Sequence, residues 1–501
     1  KSKSKSNKSK TNQKKSKARG RSKSKSNKSK AKQIKSKAKS TKPNKYDKYR
    51  DLIEHAPKVV PKPTTCDRKL TIVRSEKCMT KSKLPLKEHQ QFLVQHMMTK
   101  RGAIVVHTVG SGKTLSGVVL TNCFLDTLKC VIVTPKSLMD NFKKEMESYG
   151  VSSEHKNLTY TTFDKFYRKL QENKDFVRNK FVIIDEAHNF SNSLGKRTKL
   201  IVECMKLAAK VLLLTGTPVK NSIKEITPLY EMVSGRSVLN KKDGPSFEEL
   251  KCWVSYYNCP NEEFYPKVIE HDVVFEMNSD FYTKYMEVEK AQIKSSEVKD
   301  IFANTDNVTA FYNGIRRAVN NLGTDSSMKI KWASQQLKHD RKQLVYSFYR
   351  DAGLELVKKE LIRMKIPYRE VTGSMSSQKR KQAVKDYNSG EVKKLLISKA
   401  GGEGLDLKGT EEVIIIEPSW NEAVEEQVIG RAARFKSHID YPKNKRKVNV
   451  FHLIVSKPKE TADRLPSVDQ MLRALQREKS AKLNKFLHDL LPFTIEFAKC
   501  A

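Results

Sequence analysis

The apolar positions of this chain fall in short runs set at regular intervals. Residues 103–106, 131–134, 181–184 and 211–214 read as strands in the first half, and residues 343–348, 393–398 and 413–416 read as strands in the second. Helical or loop stretches separate them. Strands alternating with helical segments predict parallel sheets with crossover helices. The rhythm breaks across residues 236–325, which hold Asp243-Gly244-Pro245, the aromatic Trp253-Val254-Ser255-Tyr256-Tyr257 and helical patterning near 280–300. The expected class is α/β: a lobe over 66–235, a helical insert and connector over 236–325, a second lobe over 326–460 and a C-terminal helical extension over 461–501. Residues 1–45 have almost nothing apolar to bury and repeat a Lys/Ser pattern, so they are expected to be a disordered basic tail.

The strand at 103–106 runs into His107-Thr108-Val109-Gly110-Ser111-Gly112-Lys113-Thr114 and then into a helical stretch from Leu115. A strand, a glycine loop and a helix in that order make a phosphate site. Successive backbone N–H groups point at the anion, the helix start adds positive charge, Lys113 reaches the β/γ-phosphates, and the Thr114 hydroxyl is a ligand for Mg²⁺. Farther on, the strand at 181–184 ends in Asp185-Glu186-Ala187-His188. Ligands of open parallel sheets bind at the carboxyl ends of strands, so Asp185 is placed to hold Mg²⁺ and Glu186 to orient or deprotonate an attacking water. Two buried carboxylates without a cation would be costly. His188 taken alone reads as a satisfied core histidine.

The second lobe supplies cations. Asn421 is a candidate N-cap for a helix over 422–434 in which Gln427, Arg431 and Arg434 stand at i, i+4 and i+7 and share a face. Two guanidiniums side by side need an anion or carboxylate opposite. A triphosphate across a cleft would meet that need, and the arginines would then stabilise transition-state charge; a structural ion-pair network is the competing reading.

Charge widens the picture. The net charge is +42; residues 1–45 hold 20 Lys and Arg and no acid, and more than half of the excess lies outside them. A basic tail and a basic body favour a polyanionic partner, and nucleic acid suits better than membrane because no long apolar run or basic amphipathic helix is present. Eight cysteines without close metal or redox spacing predict reduced, buried thiols in an intracellular, non-secreted protein.

Taken in order, these residues resemble the superfamily 2 helicases, and most closely the Swi/Snf-type translocases of double-stranded DNA and their relatives in large DNA viruses. Leu86-Lys87-Glu88-His89-Gln90 is similar to the adenine-binding segment, with Gln90 the reader. Val131-Ile132-Val133-Thr134-Pro135-Lys136 resembles the strand and turn that contact nucleic acid, and Leu214-Thr215-Gly216-Thr217-Pro218 resembles the coupling motif, which His188 would join. Ser398-Lys399-Ala400-Gly401-Gly402-Glu403-Gly404-Leu405-Asp406 resembles the interlobe motif, and Gln427 to Arg434 the arginine-finger helix. The resemblance covers about 66–455 and implies two RecA-like lobes, ATP and Mg²⁺ as cofactors, and ATP hydrolysis coupled to movement on DNA or RNA, duplex DNA foremost. Pro135, Lys136, Ser398 and Lys399 would touch the strand; Thr215, Thr217, Gly404 and Asp406 would couple the lobes. It further implies work in viral transcription or genome processing, in the nucleus, a viral factory or the virion. A scaffold that binds nucleic acid and holds ATP without turnover is the alternative, and the intact Lys113, Asp185, Glu186, Arg431 and Arg434 argue against it.

Overall fold

The computed structural model describes residues 61–65, 77–80, 85–192, 194–219, 222–239, 242–259, 263–295, 314–322, 325–399, 404–459 and 466–498, with single residues 53, 70 and 500. The expected tail, and Gly401-Gly402-Glu403 of the interlobe motif, lie outside the described residues.

Strands β1 (Gly102–His107), β2 (Cys130–Val133), β3 (Leu158–Thr161), β4 (Phe181–Ile184), β5 (Lys210–Thr215) and β6 (Val254–Tyr257) form one parallel sheet in the order β3-β2-β4-β5-β1-β6. Alternate side chains enter opposite cores: Ile104, Val106, Val182 and Ile184 on one face, Ala103, Val105, Phe181 and Ile183 on the other. Burial of both faces is why these strands read as unbroken apolar runs. Helices α1 (Glu88–Thr99), α2 (Lys113–Phe124) and α3 (Lys136–Tyr149) belong to this lobe. Because β5 pairs with both β1 and β4, Thr215 at its end lies between the loops that follow those two strands.

The second sheet is likewise parallel. It contains β7 (Lys267–Glu276), β8 (Gln343–Ser347), β9 (Arg369–Val371), β10 (Lys394–Ser398), β11 (Glu412–Ile415) and β12 (Lys447–Ser456), in the order β9-β10-β8-β11-β12-β7. Leu344, Leu395 and Val413 fill one core, and Val345, Leu396 and Ile414 the other. The two-lobe parallel α/β architecture is the one the sequence predicts. Within 236–325, two strands precede the helix α4 (Ser279–Ser295): β6 ends the first sheet and β7 ends the second. β7 pairs along its whole length with β12, from Lys267 opposite Lys447 to Glu276 opposite Ser456. As an edge strand it tolerates the polar run Glu270-His271-Asp272, which masks a strand pattern in the sequence.

Two helices follow β11: α5 (Glu422–Ala432) and α6 (Val468–Leu490). Ser467 and Gln470 close a capping box at the start of α6, whose 23 residues span about 34 Å. Its first turns, Val468, Met471 and Leu472, pack with Met277 and Tyr285 beside the second sheet. Its last turns, Phe486, Leu487 and Leu490, lie in the core of the first lobe. Midway, Gln476 donates to the buried Glu425 of α5, and Arg473 pairs with Asp272 of β7 at 2.8 Å. His452 of β12 sits between Glu270 at 2.8 Å and Glu425 at 3.0 Å. The chain then returns to β6, where Ile495 donates its N–H to the Val254 carbonyl.

The expectation of reduced thiols is overturned. Cys78 is bonded to Cys123 and Cys252 to Cys500, and Cys259 is also disulfide-bonded. These partners are 45 and 248 residues apart, so spacing along the chain carries no sign of them; the fold brings them together. Cys130 and Cys204 are free and buried, as expected of them.

Candidate active site

The loop between β1 and α2 turns through Gly110 at φ +85° and Gly112 at φ +87°, a left-handed conformation that strains any other residue. Gln90 reaches this loop from α1, donating from Nε2 to the Gly112 carbonyl at 3.1 Å while its Oε1 accepts from the Lys87 N–H. Gln90, the expected adenine reader, and the glycine loop are thus one hydrogen-bonded unit. Lys113 Nζ donates to the carbonyls of His107 at 2.7 Å and Thr108 at 3.1 Å. Burial lowers its pKa to about 8 against the raising pull of Glu186 and Asp185. The His107 side chain points away from the loop: it is fully buried and shares a 2.7 Å hydrogen bond with Ser255 of β6, so only its carbonyl faces the site.

At the end of β4, burial first and the neighbouring Glu186 second push the Asp185 carboxyl up to about 7. Glu186 holds a left-handed φ of +51°, unusual for a residue with a side chain, and donates its N–H to Asp185 Oδ1 at 2.9 Å. Strain of this kind collects at functional sites. His188 is more than core filling. Its Nδ1 lies 3.3 Å from Glu186 Oε2 and 3.2 Å from Thr215 Oγ1, and Thr215 Oγ1 in turn accepts from the Thr217 N–H. A polar chain therefore runs from the carboxylate pair into the turn after β5.

The second lobe closes the site. Lys113, Thr114, Asp185, Glu186 and Thr217 share the walls of one cavity of about 120 Å³ with Gly404, Gln427, Arg431 and Arg434. The arginine helix is shorter than its pattern suggests. α5 ends at Ala432, and Ala433, at φ −104° and ψ 74°, turns the chain so that Arg434 reaches the cavity from beyond the helix. There Arg434 donates to the Leu405 carbonyl at 3.1 Å and lies 3.4 Å from Asp406, joining the finger to the interlobe motif. Gly404, at φ +75°, packs on the start of α3, its absent Cβ only 3.2 Å from the Ser137 carbonyl.

The remaining candidates lie at strand ends. Pro135 caps α3 with Lys136 exposed beside it, and Ser398 ends β10 with Lys399 exposed next, its Nζ 5.2 Å from the Phe348 ring. Val109, Gly110 and Gly112 line the cavity, while Ser111 turns its hydroxyl to the Thr108 carbonyl. Sequence reasoning missed Glu145. This carboxylate on α3 lies in the same cavity, pushed up to about 6 by burial while Arg434 pulls it down, and takes a 3.3 Å hydrogen bond from Asn141. Leu138, Asn141 and Glu145 stand at i, i+3 and i+7, so the spacing that exposes the arginine face would also have exposed this one.

A cation here has few protein ligands. Among the described residues no cluster of three or more His, Cys, Asp or Glu is arranged to hold a metal. The buried Asp185 and the Thr114 hydroxyl line the same cavity, a donor pair that fits an ion that keeps few protein ligands and completes its shell with water and phosphate oxygens, as Mg²⁺ does.

Two parallel-sheet lobes meeting over a glycine loop, a carboxylate pair and two arginines define a two-lobe nucleoside-triphosphatase. Residues 153–250 match the SNF2-related domain and 328–436 the helicase conserved C-terminal domain. A protein of Acanthamoeba polyphaga mimivirus named as an ATP-dependent RNA helicase is 30% identical over 449 residues, 83% of this chain and 99% of that one. The termination factor NPH-I homolog of African swine fever virus (isolate Tick/Malawi/Lil 20-1/1983) is 24% identical over 537 residues, 78% of this chain and 75% of that one. The Sulfolobus solfataricus SWI2/SNF2 ATPase core in complex with dsDNA aligns with a TM-score of 0.35 at 15% identity, over 77% of this chain and 90% of that one. The chain belongs to the SNF2-like superfamily 2 helicases, a family with relatives in large DNA viruses, and it is an ATP-hydrolysing enzyme of that family. No helix among the described residues is long and apolar enough to cross a membrane.

Proposed function

We propose that this protein is an ATP-driven translocase on nucleic acid, duplex DNA foremost, acting in viral transcription or genome processing. The observation that carries the reading is the single cavity shared by Lys113, Asp185 and Glu186 of one lobe and Gln427, Arg431 and Arg434 of the other. The virus-encoded relatives suggest the infected cell as its setting, in the nucleus, a viral factory or the virion, and the NPH-I homolog favours a transcriptional role.

In this reading the loop N–H groups and Lys113 bind the β/γ-phosphates of ATP. Mg²⁺, held by Thr114 and Asp185, would neutralise phosphate charge. Glu186 orients the attacking water and takes its proton as the γ-phosphoryl parts from the β-phosphate oxygen, and Arg431 and Arg434 stabilise the charge spread over the transferring group, with Gln427 positioning it. His188 and Thr215 pass the state of Glu186 to Thr217, and Asp406 holds Arg434 in its seat. ATP closes the lobes, hydrolysis releases them, and Pro135, Lys136, Ser398 and Lys399 grip the strand unequally in the two states, which movement requires. Comparison of ATP turnover with duplex DNA, single-stranded DNA and RNA tests this. Duplex DNA should stimulate most; no stimulation by any nucleic acid would sink the motor and leave a scaffold.

A further inference from the structure

The connector between β6 and β7 reaches the phosphate loop outside every recognised motif. Tyr265 donates its hydroxyl to the Gly110 carbonyl at 2.6 Å, and its ring lies 3.4 Å from where a Cβ on Gly110 would stand. The same ring packs against Phe435, with centres 5.7 Å apart and planes tilted by 55°. Lys87 Nζ sits 4.3 Å from the centre of the Phe435 ring and 5.6 Å from that of Tyr265. Phe435 directly follows Arg434.

We infer that Tyr265 is a positioning residue that shapes the phosphate loop and ties that shape to the seating of Arg434, an inference that rests on the proposed ATP-hydrolysing role of the cavity. In a planar trans peptide the carbonyl of Gly110 and the N–H of Ser111 point in opposite directions. Holding the carbonyl from outside the loop turns the N–H inward, and it does face inward: Ser111 N–H lies 3.2 Å from the Thr108 carbonyl. Lys113 Nζ shares that carbonyl at 3.1 Å. With the Ser111 hydroxyl at 2.7 Å, three donors converge on one neutral acceptor, and a phosphate oxygen entering the loop is the stronger acceptor for the Ser111 N–H and Lys113. Tyr265 thus presets a donor that the phosphate uses. Phe435 supports the tyrosine ring from the second lobe, so the brace is complete when the arginine seat is docked and loses a wall when the lobes part.

The test uses Tyr265→Phe in the full chain, which keeps the ring and deletes the hydroxyl. Binding of MgATP and of magnesium tripolyphosphate, which has no base or sugar, is measured beside KM, kcat and thermal melting. Loss of one hydrogen bond to a positioned peptide is expected to weaken both ligands about fivefold, raise KM by a like factor and leave kcat within about twofold. Melting should not move. Phe435→Leu, which touches no phosphate, should weaken tripolyphosphate in the same direction. Unchanged affinity for tripolyphosphate in Tyr265→Phe overturns the inference, and so does a loss matched by lower melting, which marks a merely structural hydroxyl. If the parent protein binds neither ligand, the ATP reading falls with it; a binding parent with an equally binding variant rejects only the role of Tyr265.

Discussion

Gly430 of α5 lies directly on Val109 of the phosphate loop: a Cβ at 430 would stand 2.4 Å from Val109 Cγ1. At that distance something must shift, so this close approach of the arginine helix to the loop depends on residue 430 having no side chain. Gly430→Ala should therefore oppose closure at a cost of about 1–3 kcal/mol, which is roughly fivefold to 150-fold in turnover. Each lobe should keep its melting temperature, because opening relieves the clash. Turnover equal to the parent would mean that hydrolysis does not need this contact.

Lys113→Ala and Glu186→Gln should both abolish ATP turnover and part company in binding. The first removes the ammonium proposed to meet the phosphates, while the second leaves the loop intact and removes only the group proposed to handle the water. Titration with a fluorescent ATP analogue separates them. Normal turnover in Glu186→Gln would remove that residue from the chemistry.

Arg431→Ala and Arg434→Ala should each lower kcat by about 10³-fold or more with little change in nucleotide affinity, if transition-state charge is what they serve, as proposed. Arg434 has the added contact with Asp406, so Asp406→Asn should show a weaker form of the same loss. A variant that melts early would identify its arginine as a structural partner.

The buried His452 links β12, β7 and α5, and its state sets a pH limit. Burial pulls its pKa down, but hydrogen bonds to Glu270 and Glu425 outweigh that and raise it to about 9. The folded value lies above the unfolded one of about 6.5, so its stabilisation is complete below that pH and is lost as pH rises through about 9. The contribution is about 3 kcal/mol as an order of magnitude. Melting curves from pH 6 to 10 should fall across this window in the parent and fall less in His452→Gln; parallel curves would reject the assignment.

Removing residues 1–45 deletes 20 cations and no acid, while every candidate catalytic residue lies beyond them. Turnover at saturating nucleic acid should stay nearly unchanged, and affinity should drop with a flatter salt dependence, by about 0.9 in log–log slope for each duplex phosphate released. Superimposable salt plots of the full and trimmed chains would make the segment a solubility or import signal.

Much of this was legible because buried parallel strands announce themselves. Runs such as Ala103-Ile104-Val105-Val106 must be apolar on both sides, and the loops at their ends carry chemistry in fixed order. What stayed hidden depended on spatial order. That β5 lies between β1 and β4, placing Thr215 beside His188, follows from strand pairing and not from chain order. β7 escaped notice because an edge strand tolerates Glu270 and Asp272. The helix bearing Arg434 was read two residues too long, to 434 where α5 ends at Ala432, since nothing before Ala433 marks the helix end. The disulfides join residues with no sequence relationship at all.

The Cys252–Cys500 bond gives the chain an unusual connectivity. Among the described residues the chain leaves the first lobe after β6 and returns to it through α6, so the second lobe is in effect an insertion within the first, joined to it at two described points. One is the short connector bearing Tyr265; the other is the rigid rod of α6, rooted by Phe486 and Leu490 in the first lobe's core. A body suspended at two points swings about the line joining them and does not drift away. In the proposed ATP-driven cycle, the lobe movement should accordingly be a pivot about these two attachments, with a reach set by the length of one helix.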